Sequence, residues 1–169
     1  MWLLIFPVLC ISYEISIIPQ SGPPPSPRLQ VASVYDPFEN RLIFFGGEGL
    51  EGSNDLSSTL FTFSLSSFTW NKLPSKMGIV PPGLKDVYMY FRESDRKVFV
   101  FGGISLKGES GVFYSYDSIK EFWNIEITKG YPLVYILRPT TAHFTYNEVS
   151  YIMIYGGSTR KGQVDDFYL

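Results

Sequence analysis

The sequence predicts an all-β protein built from about three four-stranded antiparallel β-propeller blades, which form an incomplete or open ring. Three apolar runs each lead into a glycine pair: RLIFFGG at 41–47, KVFVFGG at 97–103 and YIMIYGG at 151–157. The runs recur at intervals of 56 and 54 residues, and Trp70 and Trp123 follow the first two pairs at 23 and 20 residues. A period of about 50 residues with four strands in each repeat is typical of a propeller blade.

The glycine pairs and the tryptophans are the markers of the repeat. A glycine pair at the end of a buried strand is physically reasonable, because glycine adopts positive φ and lets another backbone approach closely. Each tryptophan is expected to fill space within and between blades. The markers are Gly46, Gly47, Trp70, Gly102, Gly103, Trp123, Gly156 and Gly157.

Each complete repeat contains four strand-like stretches separated by turn signals. Period-2 alternation, as in LFTFSL at 60–65 and WNIEI at 123–127, supports strands directly. The stretches are 29–35, 41–45, 59–65 and 68–73 in the first repeat and 85–91, 97–101, 112–117 and 121–127 in the second. We therefore expect a repeat region over 13–169 with a blade at 29–73, a blade at 85–127 and a partial blade at 140–169.

Together these features resemble the Kelch repeat over roughly residues 12–169. The resemblance rests on the runs ending in GG, the two tryptophans, the aromatic strands LFTF and FYSYD before them, and the proline-rich approaches to the first strands. An arginine precedes the first strand at Arg28 and Arg138 but not in the second repeat, and the third repeat has no tryptophan. The resemblance implies a propeller fold and specifies no activity, since function belongs to sites rather than to folds.

Both ends of the chain depart from whole blades. Tyr13 aligns with Trp70, so residues 13–18 are predicted to be the last strand of a blade, a closing strand. Residues 165–169 align with a third strand, so the third blade is partial. Because propellers close with four to eight blades, we expect either a piece of a longer Kelch chain or a half-propeller that forms a homodimer of about six blades.

Residues 1–12 have two interpretations. The apolar run WLLIFPVLCI at 2–11 has the length of a signal-peptide core, which would place the protein in the secretory pathway. Alternatively, the run is a strand of a preceding blade, and the protein is then cytoplasmic. It is too short to span a bilayer, so no membrane span is predicted.

Composition excludes several classes of function. Fourteen basic and sixteen acidic residues give a net charge of −2, without the basic stripe that nucleic acid needs. Cys10 is the only cysteine and His143 the only histidine, which excludes an intrachain disulfide and every multi-histidine metal site. We therefore expect no metal and no cofactor.

Local motifs that suggest chemistry have simpler explanations. The stretch GGEGLEG at 46–52 contains the spacing G-x-G-x-x-G, but a strand follows it where a dinucleotide site needs a helix. Glu48, Glu51 and Asp55 lack the spacing of a calcium loop and are expected to be solvated. His143 is expected to be a packed strand histidine, and no G-x-S-x-G elbow presents a serine nucleophile. No catalytic residue is predicted, and the protein is not expected to be an enzyme.

A partner-binding surface is predicted from the blade topology. In an antiparallel blade with strands a, b, c and d, the b–c loops and the d–a connections emerge on the same face, and here they are the longer ones. Arginine and tyrosine are common anchors of peptide contacts, so we expect a protein or peptide partner there. The candidate residues are Arg28, Glu48, Glu51, Lys107, Tyr131, Arg138, Arg160 and Lys161. Two alternatives stay open: a secreted carbohydrate-active propeller enzyme, of mutarotase or oxidase type, and a truncated fragment without independent function.

Overall fold

The regular structure consists of β-strands. A computed structural model describes residues 16–50, 55–75, 77–129, 136–159 and 161–169, and every element in them is a strand, which confirms the predicted fold class. Residues 1–12, with their two interpretations, lie outside the described residues. Residues 13–15 of the predicted closing strand also lie outside the described residues. Residues 16–18 are described and belong to no strand, so the pairing of residues 13–18 stays a prediction.

Blade 1 is a four-stranded antiparallel sheet whose strands follow chain order. Its a–b turn is held by the buried Asp36, whose Oδ1 accepts a hydrogen bond from the Phe38 N–H at 3.0 Å and whose Oδ2 pairs with the Arg41 guanidinium at 3.0 Å. A short polar side chain that bonds the turn backbone explains why the chain reverses there. The strands are β1 (Leu29–Asp36), β2 (Arg41–Glu48), β3 (Leu60–Ser64) and β4 (Thr69–Lys72).

Blade 2 repeats this sheet and adds two short strands to it. Its b strand is longer than predicted, because β7 continues past its glycine pair into a hairpin with β8. At one edge of the sheet, the connection from blade 1 runs as β5 parallel to the last strand. The strands are β5 (Met77–Gly78), β6 (Lys85–Arg92), β7 (Lys97–Ser105), β8 (Gly108–Glu109), β9 (Phe113–Asp117) and β10 (Phe122–Ile125).

Blade 3 has three strands and a separate hairpin. Its a and b strands join through a tight turn in which Asn147 and Glu148 both have positive φ, 48° and 64°. The strands of the sheet are β11 (Thr140–Tyr146), β12 (Val149–Tyr155) and β15 (Phe167–Tyr168); the hairpin is β13 (Ser158–Thr159) with β14 (Gly162–Gln163). All of these strands lie within residues 140–169, the predicted limits of the partial blade. The exact limits stay a prediction.

A break in the strand pairing recurs at the same position of blades 1 and 2. Leu29 pairs with Glu48 and Val31 with Gly46, which leaves Gln30 opposite Gly47 without a regular pairing; Asp86 lies opposite Gly103 in the same way in blade 2. Both residues have positive φ, 57° for Gln30 and 55° for Asp86. The register is the same on either side of the break, so neither strand carries an extra residue. The side chains at this position join the blades, because Gln30 Nε2 donates to Asp86 Oδ2 at 3.0 Å.

The main core lies between blades 1 and 2. Ile43 and Phe45 of blade 1 are at most 1% exposed and meet Val98, Val100 and other buried residues of blade 2. The Trp123 ring is 5.5 Å from the Phe45 ring across this interface. Successive blades thus bury the apolar faces that a single sheet would expose.

Blades 2 and 3 meet through aromatic side chains. The Tyr90 ring stacks on His143 at 4.8 Å and on Phe99 at 4.6 Å. His143 lies on the first strand of its blade, as expected, but its side chain is exposed and stacked rather than enclosed. The imidazole therefore contributes to the contact between blades.

The buried tyrosines make stability depend on alkaline pH. Burial is the main cause that raises the pKa of Tyr116 to about 12, and its hydroxyl donates to the Pro74 carbonyl at 2.6 Å. Because the unfolded chain ionises first, near pH 10, folding stability is expected to fall as pH rises from about 10 to 12. We expect about 1 kcal/mol or more to be lost over this window, measured by urea unfolding at pH 8, 10 and 11.5.

The variant Tyr116→Phe is the control for this pH dependence. It has no phenol to ionise at this position, so its stability should fall less over the same window. Equal slopes for the two proteins would contradict the assignment to Tyr116.

In the described part of the chain, no helix is long and apolar enough to cross a membrane.

Candidate partner-binding face

The longer loops of the three blades lie on one face, which we call the loop face. It comprises the b–c loops between β2 and β3, β7 and β9, and β12 and β15, with the d–a connections before β1, β6 and β11. Five of the predicted site residues lie in the described part of this face. Glu51, Tyr131 and Arg160 lie outside the described residues.

Arg28 serves the fold rather than the outer surface. Its side chain is 9% exposed, its Nη1 donates to the Gly47 carbonyl at 3.2 Å, and its Nη2 lies 3.7 Å from Asp55 Oδ2. These contacts tie the approach to β1 to the b–c loop of the same blade. A guanidinium held in this way leaves little surface for a partner.

Glu48 is also engaged internally. Its Oε2 accepts from Lys85 Nζ at 2.6 Å, and both side chains are at most 25% exposed. The pair connects the end of β2 in blade 1 to the start of β6 in blade 2. It therefore fixes the angle between two blades at the loop face.

Asp86 is the centre of a polar contact that spans all three blades. Its Oδ2 accepts from Gln30 of blade 1 at 3.0 Å and from Arg138 Nη2, which leads into blade 3, at 3.3 Å. The Asp86 side chain is 13% exposed, whereas Arg138 is 71% exposed. Burial, then the Asp86 charge, raises the pKa of the neighbouring Tyr88 to about 12, and Arg138 opposes this.

Lys107 and Lys161 occupy equivalent turns at the tips of the β7–β8 and β13–β14 hairpins. Ser105 Oγ donates to the Gly108 carbonyl at 2.9 Å and accepts from the Lys107 N–H at 3.1 Å. Thr159 Oγ1 makes the same two bonds, to the Gly162 carbonyl at 3.3 Å and from the Lys161 N–H at 3.2 Å. The hydroxyl at the first position and the glycine at the fourth shape both turns.

Sequence reasoning missed these hairpins, although a signal was present. Residues 105–108 read SLKG and residues 159–162 read TRKG. In both, a hydroxyl residue stands two positions before Lys-Gly, and the two copies are separated by the interval of the blade repeat.

Lys107 and Lys161 are both exposed. The loop face therefore carries exposed cations at Lys107, Arg138 and Lys161, beside exposed carboxylates at Asp55 and Asp165.

The described side chains provide no metal centre. Among them, no group of three or more His, Cys, Asp or Glu residues could hold an ion. Of the acidic residues expected to be solvated, Glu48 instead pairs with Lys85 and is 18% exposed, whereas Asp55 is exposed and lies near Arg28.

These blades define the class of protein. Four-stranded antiparallel sheets that pack face to face, each with a glycine pair closing its second strand, are the repeating unit of a β-propeller. Residues 5–169 match the family model described as the KLHDC2/KLHL20/DRC7 Kelch-repeats domain. The chain belongs to the Kelch-repeat family, whose domains generally bind proteins.

The chain also resembles a curated plant protein. It is 26% identical over 148 residues to the N-(sulfonatooxy)prop-2-enimidothioate sulfolyase of Thlaspi arvense. The matched region covers 85% of this chain and 39% of that protein, so the chain spans about two fifths of the relative's length.

Proposed function

We propose that this chain is an interaction module that binds a protein or peptide through the loop face. The observation that carries the proposal is the set of exposed cations, Lys107, Arg138 and Lys161, on loops that start from rigid blades. Loops held by a rigid scaffold are the usual place for recognition. Family membership supports a binding role in general, and the exposed cations support the loop face as the binding surface.

The chemistry of the loop face favours an acidic segment of the partner. Arg28, Glu48 and Lys85 are occupied within the fold, whereas Lys107 and Lys161 extend from hairpin tips. Exposed cations attract carboxylates and steer them during encounter, and this attraction weakens as salt rises. Binding is therefore expected to weaken with ionic strength.

The competing function is catalysis, which the name of the plant relative suggests for that protein. In this chain, the carboxylate that lies between the blades is Asp86, and its Oδ2 already accepts from Gln30 and Arg138. A carboxylate held by two donors is suited to a structural contact. We assign no catalytic residue, and a sugar-modifying activity has no supporting observation in the described side chains.

Replacing Arg138 by glutamate is expected to weaken peptide binding about 3- to 10-fold, because an exposed attractive pair contributes about 0.2–1 kcal/mol and the reversed charge adds repulsion. The probe is a peptide selected from a random 12-residue display library on the immobilised wild-type chain. Its dissociation constant is measured by fluorescence anisotropy at two salt concentrations. The variant should also show a smaller salt dependence.

Lys120→Glu is the matched control. Lys120 is 72% exposed, as Arg138 is 71% exposed, but it lies on the c–d turn at the opposite face. This variant should bind the peptide as the wild type does. Equal weakening by both substitutions, or none by Arg138→Glu, would contradict binding at the loop face.

A further inference from the structure

The approach to β1 is a proline-rich segment on the loop face. Residues 23–28 read PPPSPR and belong to no strand. Proline fixes φ near about −65° and has no N–H, so a run of prolines is extended and cannot join a sheet through its backbone. Ser26 and Pro27 are exposed on this segment. The structure thus presents a serine hydroxyl on an extended and accessible stretch of chain.

The residues around Ser26 form a pattern that protein kinases read. Pro27 follows it directly, and Pro24 stands two positions before it. Proline-directed kinases bind extended segments in which proline follows the acceptor serine or threonine, and the mitogen-activated type favours a second proline at the earlier position. No other serine or threonine of the 169-residue chain precedes a proline. A kinase of this class would therefore have a single acceptor hydroxyl.

The exposure of Ser26 does not depend on what packs against the outer side of blade 1. Its equivalent one repeat later is Pro82, at the same 56-residue interval that separates Gly46 from Gly102. Pro82 lies in the connection between blades 1 and 2, and it is exposed although both blades are in place. A blade on the other side of blade 1 would accordingly leave Ser26 accessible.

The side chain of Arg28 already contacts the acceptor oxygen. Its Nη2 donates to Ser26 Oγ at 2.6 Å, and its Nη1 donates to the Gly47 carbonyl at 3.2 Å, which holds the guanidinium in place. A phosphate on this oxygen would form beside a fixed guanidinium, and contacts between arginine and phosphate are strong because both groups are charged. Asp55 Oδ2 lies 3.7 Å from the same Nη2, so the phosphate would compete with this carboxylate.

We propose that Ser26 is a phosphorylation site and that Arg28 binds the phosphate of the modified chain. In the transfer, Ser26 Oγ bonds to the γ-phosphorus of ATP while the bond from that phosphorus to the β–γ bridging oxygen breaks. ADP leaves, and the hydroxyl proton passes to the basic carboxylate of the kinase. Arg28 then exchanges Asp55 for the phosphate, which weakens the link between the b–c loop of blade 1 and the approach to β1.

The acceptor is tested by mass spectrometry. The whole chain is incubated with a mitogen-activated protein kinase and ATP, beside a free peptide of residues 20–32. We expect one phosphate per chain, located on Ser26, and none in the variant Ser26→Ala. An unmodified chain under conditions that fully modify the peptide, or equal modification of Ser26→Ala, would overturn the proposal.

The role of Arg28 is tested by phosphorus NMR of the modified chain. The second pKa of phosphoserine is about 6, and a fixed cation lowers it, so we expect a midpoint about 0.5 pH unit or more below that of the phosphorylated peptide. Arg28→Gln should remove most of this difference. Lys72→Gln is the matched control, because it removes a cation that lines the same cleft as Ser26, and it should retain most of the difference.

Asp55→Asn is a second variant that leaves Arg28 in place, in case Arg28→Gln does not fold. Because Asp55 competes for the guanidinium, its neutralisation should lower the midpoint further. Equal midpoints for the folded chain and the peptide would overturn the role of Arg28. An unchanged midpoint in folded Arg28→Gln, or in Asp55→Asn where Arg28→Gln does not fold, would do the same.

Discussion

Replacement of Trp123 by alanine is expected to lower the free energy of unfolding by about 3–5 kcal/mol. Trp123 is 2% exposed, and its ring contacts Phe45 of the neighbouring blade at 5.5 Å and Tyr116 of its own blade at 5.3 Å. Truncation leaves a cavity at the centre of the interface between blades, where the surrounding strands cannot collapse freely. Urea unfolding followed by far-ultraviolet circular dichroism measures the loss.

Trp70→Ala is the matched control, since Trp70 holds the same place in blade 1. Its ring contacts Phe44 and Phe63 within its own blade and is half-buried. Trp70→Ala should cost clearly less than Trp123→Ala. Equal losses would contradict the idea that the contact between blades 1 and 2 dominates stability.

Replacement of Gly103 by alanine is expected to cost about 2–5 kcal/mol, the sum of left-handed backbone strain and a forced shift of neighbours. Gly103 has φ +86°, and an added Cβ would lie 2.6 Å from Val87 Cγ1 and 2.7 Å from the Lys85 carbonyl oxygen. The carbonyl belongs to the paired strand β6 and cannot move away like a side chain. The thermal midpoint and the urea midpoint should both fall.

Gly102→Ala separates the two causes. Gly102 also has positive φ, +69°, but its added Cβ would have the Tyr88 ring as its nearest neighbour, at 3.6 Å, which is ordinary contact. This variant should therefore show the backbone strain alone, about 1–2 kcal/mol. If Gly102→Ala is as damaging as Gly103→Ala, close packing at the second glycine is not the reason for the pair.

The repeat and its strands were predictable because their signals are local. Strand alternation, turn residues and the glycine pairs each report on the backbone within a few residues. The function of the second glycine was only partly predictable: positive φ was expected, whereas the break in pairing at Gln30 and Asp86, whose flanking residues crowd the glycine, was not. The 56-residue offset between these two residues equals the blade interval and could have indicated it.

The roles of individual charges could not be predicted in the same way. The b–c and d–a loops were correctly expected to be the longer ones, but which charges stay exposed depends on partners far along the chain. Glu48 pairs with Lys85 and Arg138 with Asp86, contacts made only when the blades pack. Arg28 was expected at a partner surface, and the structure places its guanidinium against the Gly47 carbonyl. Trp70 and Trp123 likewise look equivalent in sequence and differ in burial because, within the described residues, a neighbouring blade packs on Trp123 alone.

The central claim is that a partner binds at the loop face, and amide chemical shifts test it most directly. Backbone-assigned protein is titrated with the selected 12-residue peptide. We expect the largest shifts at the hairpin tips and d–a connections, at Lys107, Arg138 and Lys161, with little change at the a–b and c–d turns around Asn40 and Lys120. Shifts concentrated at those turns, or spread evenly over both faces, would contradict the claim.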